Sequence, residues 1–295
     1  MRGYLPACEI RVPATLAEAL ELLAREPGSW TPMAGGTDLM VVYNAGRLKA
    51  TRFLDLSRFE ALRGIQEDAT ALTFGALTTF TEVRECEAVH RHLPNLIESA
   101  KVTGALAIQN RGTLGGNIVN GSPAADTPPS LLAYGAELEL VSAAGTRRVS
   151  YADFHQGYKQ MDLRPEELVA RIRVPKPTGQ GLHFFRKVGT RQAQAIAKVC
   201  LAAYARVEDG HLAELRIGLG SVAPAPVRAL NVENLLRGLA LAQLPGAAAR
   251  EALLADIHPI GDVRASAHYR SVVTANVLAR MLEAWATAPA GRTDG

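Results

Sequence analysis

The chain has 295 residues, 48% hydrophobic and 21% charged, with a net charge of +3, which suits one large globular domain or two of medium size. Its Lys and Arg residues form no run, so nothing favours nucleic-acid binding, and no stretch approaches the roughly 20 apolar residues of a membrane-spanning helix. Cys8, Cys86 and Cys200 are too scattered for a disulfide framework or a zinc or iron–sulfur site; with reduced thiols, and no signal-peptide core in the opening residues, the expected location is cytoplasmic.

The first predicted element is a helix at 15–26, with Thr15 and Glu18 forming a capping box. Leu16, Ala19, Leu20 and Leu23 make its apolar face, and Pro27-Gly28 stops it. Residues 30–33 read as a short strand feeding a glycine turn, Ala34-Gly-Gly-Thr-Asp38, and Leu39 to Val42 as the start of a helix. Short strands follow at 53–56 and 72–76, then a helix at about 93–104 with Pro94 at its start. A second glycine turn, Arg111-Gly-Thr-Leu-Gly-Gly-Asn117, precedes a short helix at 127–134, a hairpin over 138–150 and a strand at 168–174.

The Pro/Gly cluster at 175–181 reads as a domain boundary. Beyond it, strands at 198–207 and 212–219 are joined by Glu208-Asp209-Gly210. Helices at about 231–241, 246–256 and 265–286 close the chain, and a small, polar tail from Thr287 onward is expected to fray. Strands and helices do not alternate regularly, which favours α+β over a doubly wound sheet.

The two glycine turns carry the chemistry. Backbone N–H groups in a tight turn at a helix start can meet the charge of a phosphate. Glycine admits positive φ there and, lacking Cβ, lets the backbone approach closely. In the first turn Thr37 adds a hydroxyl. Asp38, repelled by phosphate, is expected to face the first turn of the following helix. In the second, Thr113 and Asn117 supply side-chain donors and Gly115-Gly116 bare backbone. Either turn alone reads better as a structural tight turn. Together they define a phosphate cradle without saying which nucleotide it holds. Gly218-Leu-Gly220-Ser-Val-Ala223 mimics a dinucleotide fingerprint, but Pro224 and Pro226 forbid the helix such a fingerprint needs.

These residues resemble the FAD-binding subunit of the molybdenum hydroxylases, the family of xanthine dehydrogenase and bacterial carbon monoxide dehydrogenase. Ala34 to Leu39 resembles the first FAD motif of that family. Gln109 to Ile118, continued by Ser122-Pro-Ala-Ala-Asp126, resembles the second. Arg186-Lys-Val-Gly-Thr-Arg191 through Val199, Gly218 to Pro224 and Asp262 to Arg270 resemble its C-terminal domain. The resemblance implies an α+β fold. A vanillyl-alcohol-oxidase (PCMH-type) FAD-binding domain over 1–177 would precede a smaller α+β domain of the CO dehydrogenase flavoprotein type over 182–288. It further implies FAD contacts from Met33, Ala34, Gly35, Gly36, Thr37, Asp38 and Leu39, and from Thr113, Leu114, Gly115, Gly116 and Asn117. Asp126, and more loosely Thr103, Leu168, Val169 and Lys187, would lie at the cofactor. The implied partners are a small [2Fe-2S] subunit and a large molybdopterin subunit, with electrons passing to NAD+ or another acceptor. The cysteine-rich insertion of some members is lacking, so no metal is expected in this chain.

Each side chain also has a plainer expectation. Asp126 can cap the helix beginning near Thr127-Pro128-Pro129, Lys187 can be a solvated strand lysine, and Asn120 a loop residue satisfying backbone groups. His90 and His92 fall on different helix faces and read as surface residues. The stripe Val272, Val273, Asn276, Leu278, Ala279, Leu282 reads as core or subunit packing. Two other functions remain open: a self-sufficient flavin reductase or oxidase on the same fold, for which no proton donor stands out, and an assembly subunit that has lost its cofactor, against which two intact glycine turns argue.

Overall fold

The structure, a computed structural model, describes residues 7–191 and 194–287. The opening residues, the 192–193 pair inside the Arg186–Val199 motif and the tail from 288 lie outside the described residues.

The N-terminal lobe is small. Strands β1 (Glu9–Arg11), β2 (Thr31–Met33) and β3 (Arg52–Asp55) form a parallel sheet in the order β1-β3-β2. Helix α1 (Leu16–Arg25) links β1 to β2, and α2 (Leu39–Asn44) links β2 to β3. Thr15 Oγ1 accepts from Glu18 N at 3.1 Å, as its sequence position demands, but the Glu18 carboxylate turns one residue further out, to Ala14 N at 2.8 Å. Ala19 and Leu23 are buried with Trp30 and Leu54 in a core of their own.

A second lobe follows in the same domain. It contains β4 (Ile65–Glu67), β5 (Ala71–Gly75), α3 (Phe80–Glu85), α4 (Glu87–His92), α5 (Pro94–Val102), α6 (Leu106–Gln109), α7 (Leu114–Val119), α8 (Pro128–Ala133), β6 (Glu137–Ser142), β7 (Gly145–Ser150), α9 (Tyr151–Phe154), β8 (His155–Gly157), β9 (Gln160–Met161) and β10 (Leu168–Pro175). Its antiparallel sheet runs β4-β5-β10-β6-β7, and β8 pairs with β9 as a separate hairpin. Helix α3 begins with a complete capping box between Thr79 and Glu82, a pattern that the sequence carries in Thr79-x-x-Glu82.

The last domain is an antiparallel sheet, β11 (Gln180–Val188), β12 (Val199–Glu208), β13 (His211–Gly220) and β14 (Val227–Arg228), backed by α10 (Leu230–Leu236), α11 (Gly246–Asp256) and α12 (Ala267–Ala286). Strand β11 had no counterpart among the predicted elements. Helix α10 stops at Leu236, short of the expected 241, because Gly238 turns the chain at φ +81°. On α12 Leu278 and Leu282 are buried and Asn276 is exposed, so the real core stripe runs through Thr274, Ala275, Leu278, Met281 and Trp285. Among the described residues no helix is long and apolar enough to cross a membrane.

The domains share a core: Ala202 and Tyr204 of β12 belong to the apolar cluster of the second lobe. Helix α8 lies so close to β13 that a Cβ at Gly218 would fall 2.1 Å from Pro129 O. The Gly218-Leu-Gly220 pattern therefore gives a helix room to pack on a sheet.

Candidate functional site

Between the two lobes of the first domain lies a cavity of about 630 Å³, within the range of roughly 300–1,000 Å³ common for small-molecule sites. The N-terminal lobe contributes Ala34, Gly35, Gly36, Thr37, Asp38 and Leu39. The second lobe contributes Thr103, Thr113, Gly115, Gly116, Asn117, Leu168 and Val169. Four other expected residues are outside the wall. Met33 ends β2, its carbonyl accepting from Leu56 N at 2.9 Å. Leu114 is fully buried in the second lobe's core, and Asp126 and Lys187 pair with each other. The wall also includes Asn120, Lys159, Met161 and Leu163. Asn120 was the one of these considered from sequence. The others sit on or beside β8 and β9, whose two- and three-residue strands carry no periodic signal.

The first motif behaves as a donor loop. The N–H groups of Gly35, Gly36, Thr37 and Asp38 make no hydrogen bond among the described residues. Gly36 sits at φ +72°, where residues with a Cβ are strained. Asp38 occupies the N-cap position of α2 but in αR geometry, and its carboxylate caps nothing. The expectation that it would serve the helix's first turn is thus corrected: an N-cap side chain reaches N2 or N3 only from an extended backbone.

The second motif is a helix start. Thr113 is the N-cap of α7, in extended geometry, and its Oγ1 accepts from Gly116 N at 3.1 Å. Leu114 N donates to Thr78 O, Gly115 N to Ala76 O and Asn117 N to Thr113 O, each at 2.9 Å. Its amides are therefore occupied, and the idea of a second bare-backbone cradle is overturned. What remains for a ligand is the Thr113 hydroxyl proton and the Asn117 amide group, whose Oδ1 is taken by Thr127 Oγ1 at 2.6 Å. The glycines here provide room. A Cβ on Gly115 would lie 2.7 Å from Ala76 O, and one on Gly116 would meet Thr113 Oγ1 at 2.9 Å. The motifs touch where a Cβ on Gly35 would fall 1.8 Å from Arg111 O.

Leu168 and Val169 open β10 beside a register shift against β6 between Val169 and Arg171, the kind of bulge that re-aims side chains next to sites. Thr103, the C-cap of α5, bonds back to Ser99 O at 2.7 Å.

Asp126 does not cap α8: Thr127 is the N-cap, and its side chain makes no capping hydrogen bond to the helix. The Asp126 carboxylate meets Lys187 Nζ through Oδ2 at 2.6 Å, and Lys187 Nζ also donates to Val102 O at 3.0 Å. Both side chains are less than 10% exposed, so Lys187 is no solvated strand lysine; antiparallel pairing with β12 carries it into the domain junction. Burial pushes the Asp126 carboxyl up to about 6 against the pull of Lys187. Its Oδ1 is buried without a partner, and an unsatisfied acceptor at such a place calls for a donor.

A cavity with a free-amide loop on one side and a hydroxyl- and amide-bearing helix start on the other is the class of site that holds an anionic nucleotide-like ligand. Residues 6–177 match the model of the FAD binding domain in molybdopterin dehydrogenase, and residues 184–285 that of the CO dehydrogenase flavoprotein C-terminal domain. A putative xanthine dehydrogenase FAD-binding subunit of Escherichia coli K12 is 34% identical over 262 residues, covering 87% of this chain and 88% of the relative. The carbon monoxide dehydrogenase medium chain of Hydrogenophaga pseudoflava is 29% identical, covering 95% and 98%. A solved structure of that enzyme, lacking the Mo-pyranopterin moiety of its molybdenum cofactor, superposes with a TM-score of 0.91 at 29% identity, covering 95% of this chain and 98% of its own. Quinoline 2-oxidoreductase from Pseudomonas putida 86 follows at 0.87 and 27% identity, covering 96% and 98%. The chain belongs to the FAD-binding medium subunits of the molybdenum hydroxylases of the xanthine dehydrogenase and CO dehydrogenase type. It is thus the FAD-binding subunit of an oxidoreductase complex.

Proposed function

We propose that this subunit relays electrons: FAD held across the cavity receives them from [2Fe-2S] clusters of a small partner subunit, fed by a large molybdopterin subunit, and passes them to NAD+ or another acceptor. The observation that carries the reading is the row of N–H groups at Gly35, Gly36, Thr37 and Asp38 that have no partner among the described residues, in one cavity with Thr113 and Asn117. Bound FAD supplies the redox chemistry, exchanging electrons with one-electron and two-electron partners. The residues hold it. Amides of the Ala34–Leu39 loop meet the pyrophosphate, and the Thr113 hydroxyl and Asn117 amide donate to the ribityl chain. Gly116 would leave room for that chain, Gly115 lets α7 pack on Ala76, and Thr103, Leu168 and Val169 would keep water from the ring. Met33 and Leu114 anchor the two motifs from behind. Asp126, outside the cavity wall, would meet the cofactor through its Oδ1, which has no partner among the described residues, and Lys187 holds its carboxylate in place. Three unpaired cysteines suit a cytoplasmic complex.

The test is purification of the native complex with metal analysis and identification of the released flavin. Expected are one FAD per chain, with molybdenum and iron in stoichiometric partner subunits, and a flavin that bleaches with the hydroxylated substrate and recovers with the acceptor. A preparation of this chain alone, free of molybdenum and iron, that turns over an organic substrate would establish the self-sufficient reductase or oxidase instead.

A further inference from the structure

The β8–β9 hairpin puts a strained residue at the cavity. Lys159, in its turn, has φ +55°, the left-handed region that Lys seldom occupies. The hairpin is pinned from several sides. Arg147 of β7 donates to both carboxylate oxygens of Asp162, at 2.8 and 3.0 Å, and to both of Glu167, at 2.6 and 2.8 Å. Asp162 N donates to Phe154 O at 2.8 Å. On the other flank the missing side chain of Gly121 leaves space, since a Cβ there would sit 3.2 Å from Lys159 Cα. A turn held this firmly in a conformation its own residue disfavours points to a role for that residue.

The charges along the wall suggest which role. Among the lining residues Lys159 is the cation, and Asp38 and Glu167 are the anions. Glu167 is engaged by Arg147 and by Arg164 N at 2.8 Å. The Asp38 carboxylate has no hydrogen-bond partner among the described residues. Arg63 and Arg111 line an adjoining recess that shares Ala34, Gly35, Leu77 and Thr113 with the cavity, where Arg63 donates to Ser57 O at 2.6 Å and Arg111 to Gly35 O at 3.4 Å, and Lys187 is committed to Asp126. The remaining donors in the wall are neutral amides and hydroxyls, whereas a dinucleotide brings two negative charges.

We propose that Lys159 is a further cofactor-binding residue: its ammonium offsets the negative charge of the bound dinucleotide, and the hairpin is the clamp that holds it there. The proposal rests on the reading of the cavity as an FAD site. Its test is titration of FAD into the deflavinated native complex, at low and high salt, for the wild type and for K159M, K159R, K159G and R147M, with thermal melting to confirm folding. K159M is expected to weaken FAD binding about tenfold at low salt, with the gap closing at high salt, as for a part-exposed charge pair. K159R keeps wild-type affinity. K159G binds as weakly as K159M, although glycine suits the turn's φ. R147M also weakens binding, and adding K159M to it costs little more. The proposal is overturned if K159M and K159G bind FAD like the wild type at both salt concentrations. Tight binding by K159G beside weak binding by K159M also overturns it, because backbone shape would then be the cause. Failure of the wild type itself to take up FAD would reject the FAD reading, a separate outcome.

Discussion

Ala34–Leu39 and Thr113–Asn117 each place a glycine pair within two residues of a threonine, and the fold uses them in opposite ways. The first pair sits in a loop between strand and helix with its N–H groups unpaired; the second sits inside the first turn of α7, with its N–H groups bonded to Thr113 Oγ1 and Ala76 O. One motif thus offers donors and the other offers space. The difference goes with the N-cap of the helix at each motif. Thr113 is extended and caps α7, whereas Asp38, the N-cap of α2, is in αR geometry and caps nothing.

The comparison can be broken experimentally. The largest effect is expected from Gly116→Leu, where the new side chain enters the cavity. FAD content should fall to nearly zero, while the melting temperature reflects only the loss of the Thr113 cap, about 1 kcal/mol. Retention of normal flavin would remove the second motif from the site. Next comes Gly35→Ala, whose Cβ would collide with Arg111 backbone. Both are rigid main chain, so denaturant titration should show a loss of about 3 kcal/mol, the upper end of overpacking costs, with FAD lost as the lobes separate.

Asp126 extends the contrast between used and unused groups. Its folded pKa, about 6, is raised by burial above the ordinary carboxylate value of about 4, so between those values the native state holds a proton that the unfolded state has released. Its contribution therefore makes the flavin-free protein less stable as pH rises from about 4 to about 6, by on the order of 3 kcal/mol for such a shift. Asp126→Asn should remove that decline, read as the difference between wild-type and variant unfolding at several pH values; identical slopes would contradict the assigned protonation. The smallest effects separate the two threonines. Thr113→Val should cost about 1 kcal/mol as a lost cap, and Thr37→Val should leave stability unchanged while weakening FAD binding. Equal stability losses would mean that the two motifs are not different in kind.

Much of this was legible in the residues themselves. Helix α1 is marked by Thr15, its apolar spacing and Pro27-Gly28, and the β12–β13 hairpin by Asp209-Gly210, which adopts positive φ at both positions. Local chemistry decides such elements. What stayed hidden depends on partners distant in sequence. Strand β11 gains its identity by pairing with β12, and Lys159 reaches the cavity through Arg147, Asp162 and Glu167. Lys187 and Asp126 are 61 residues apart, and their burial is a property of the domain junction.

The sequence by itself determined the two glycine motifs, their order, the α+β character and the family, because those rest on residue types and short-range spacing. Only the tertiary structure decided which glycines donate and which merely make room, that Asp38 caps nothing, and that Asp126 keeps an unpartnered oxygen. A backbone N–H is free or occupied according to what folds against it, as Gly115 N finds Ala76 O thirty-nine residues away while the N–H groups of Gly35 to Asp38 find no partner among the described residues.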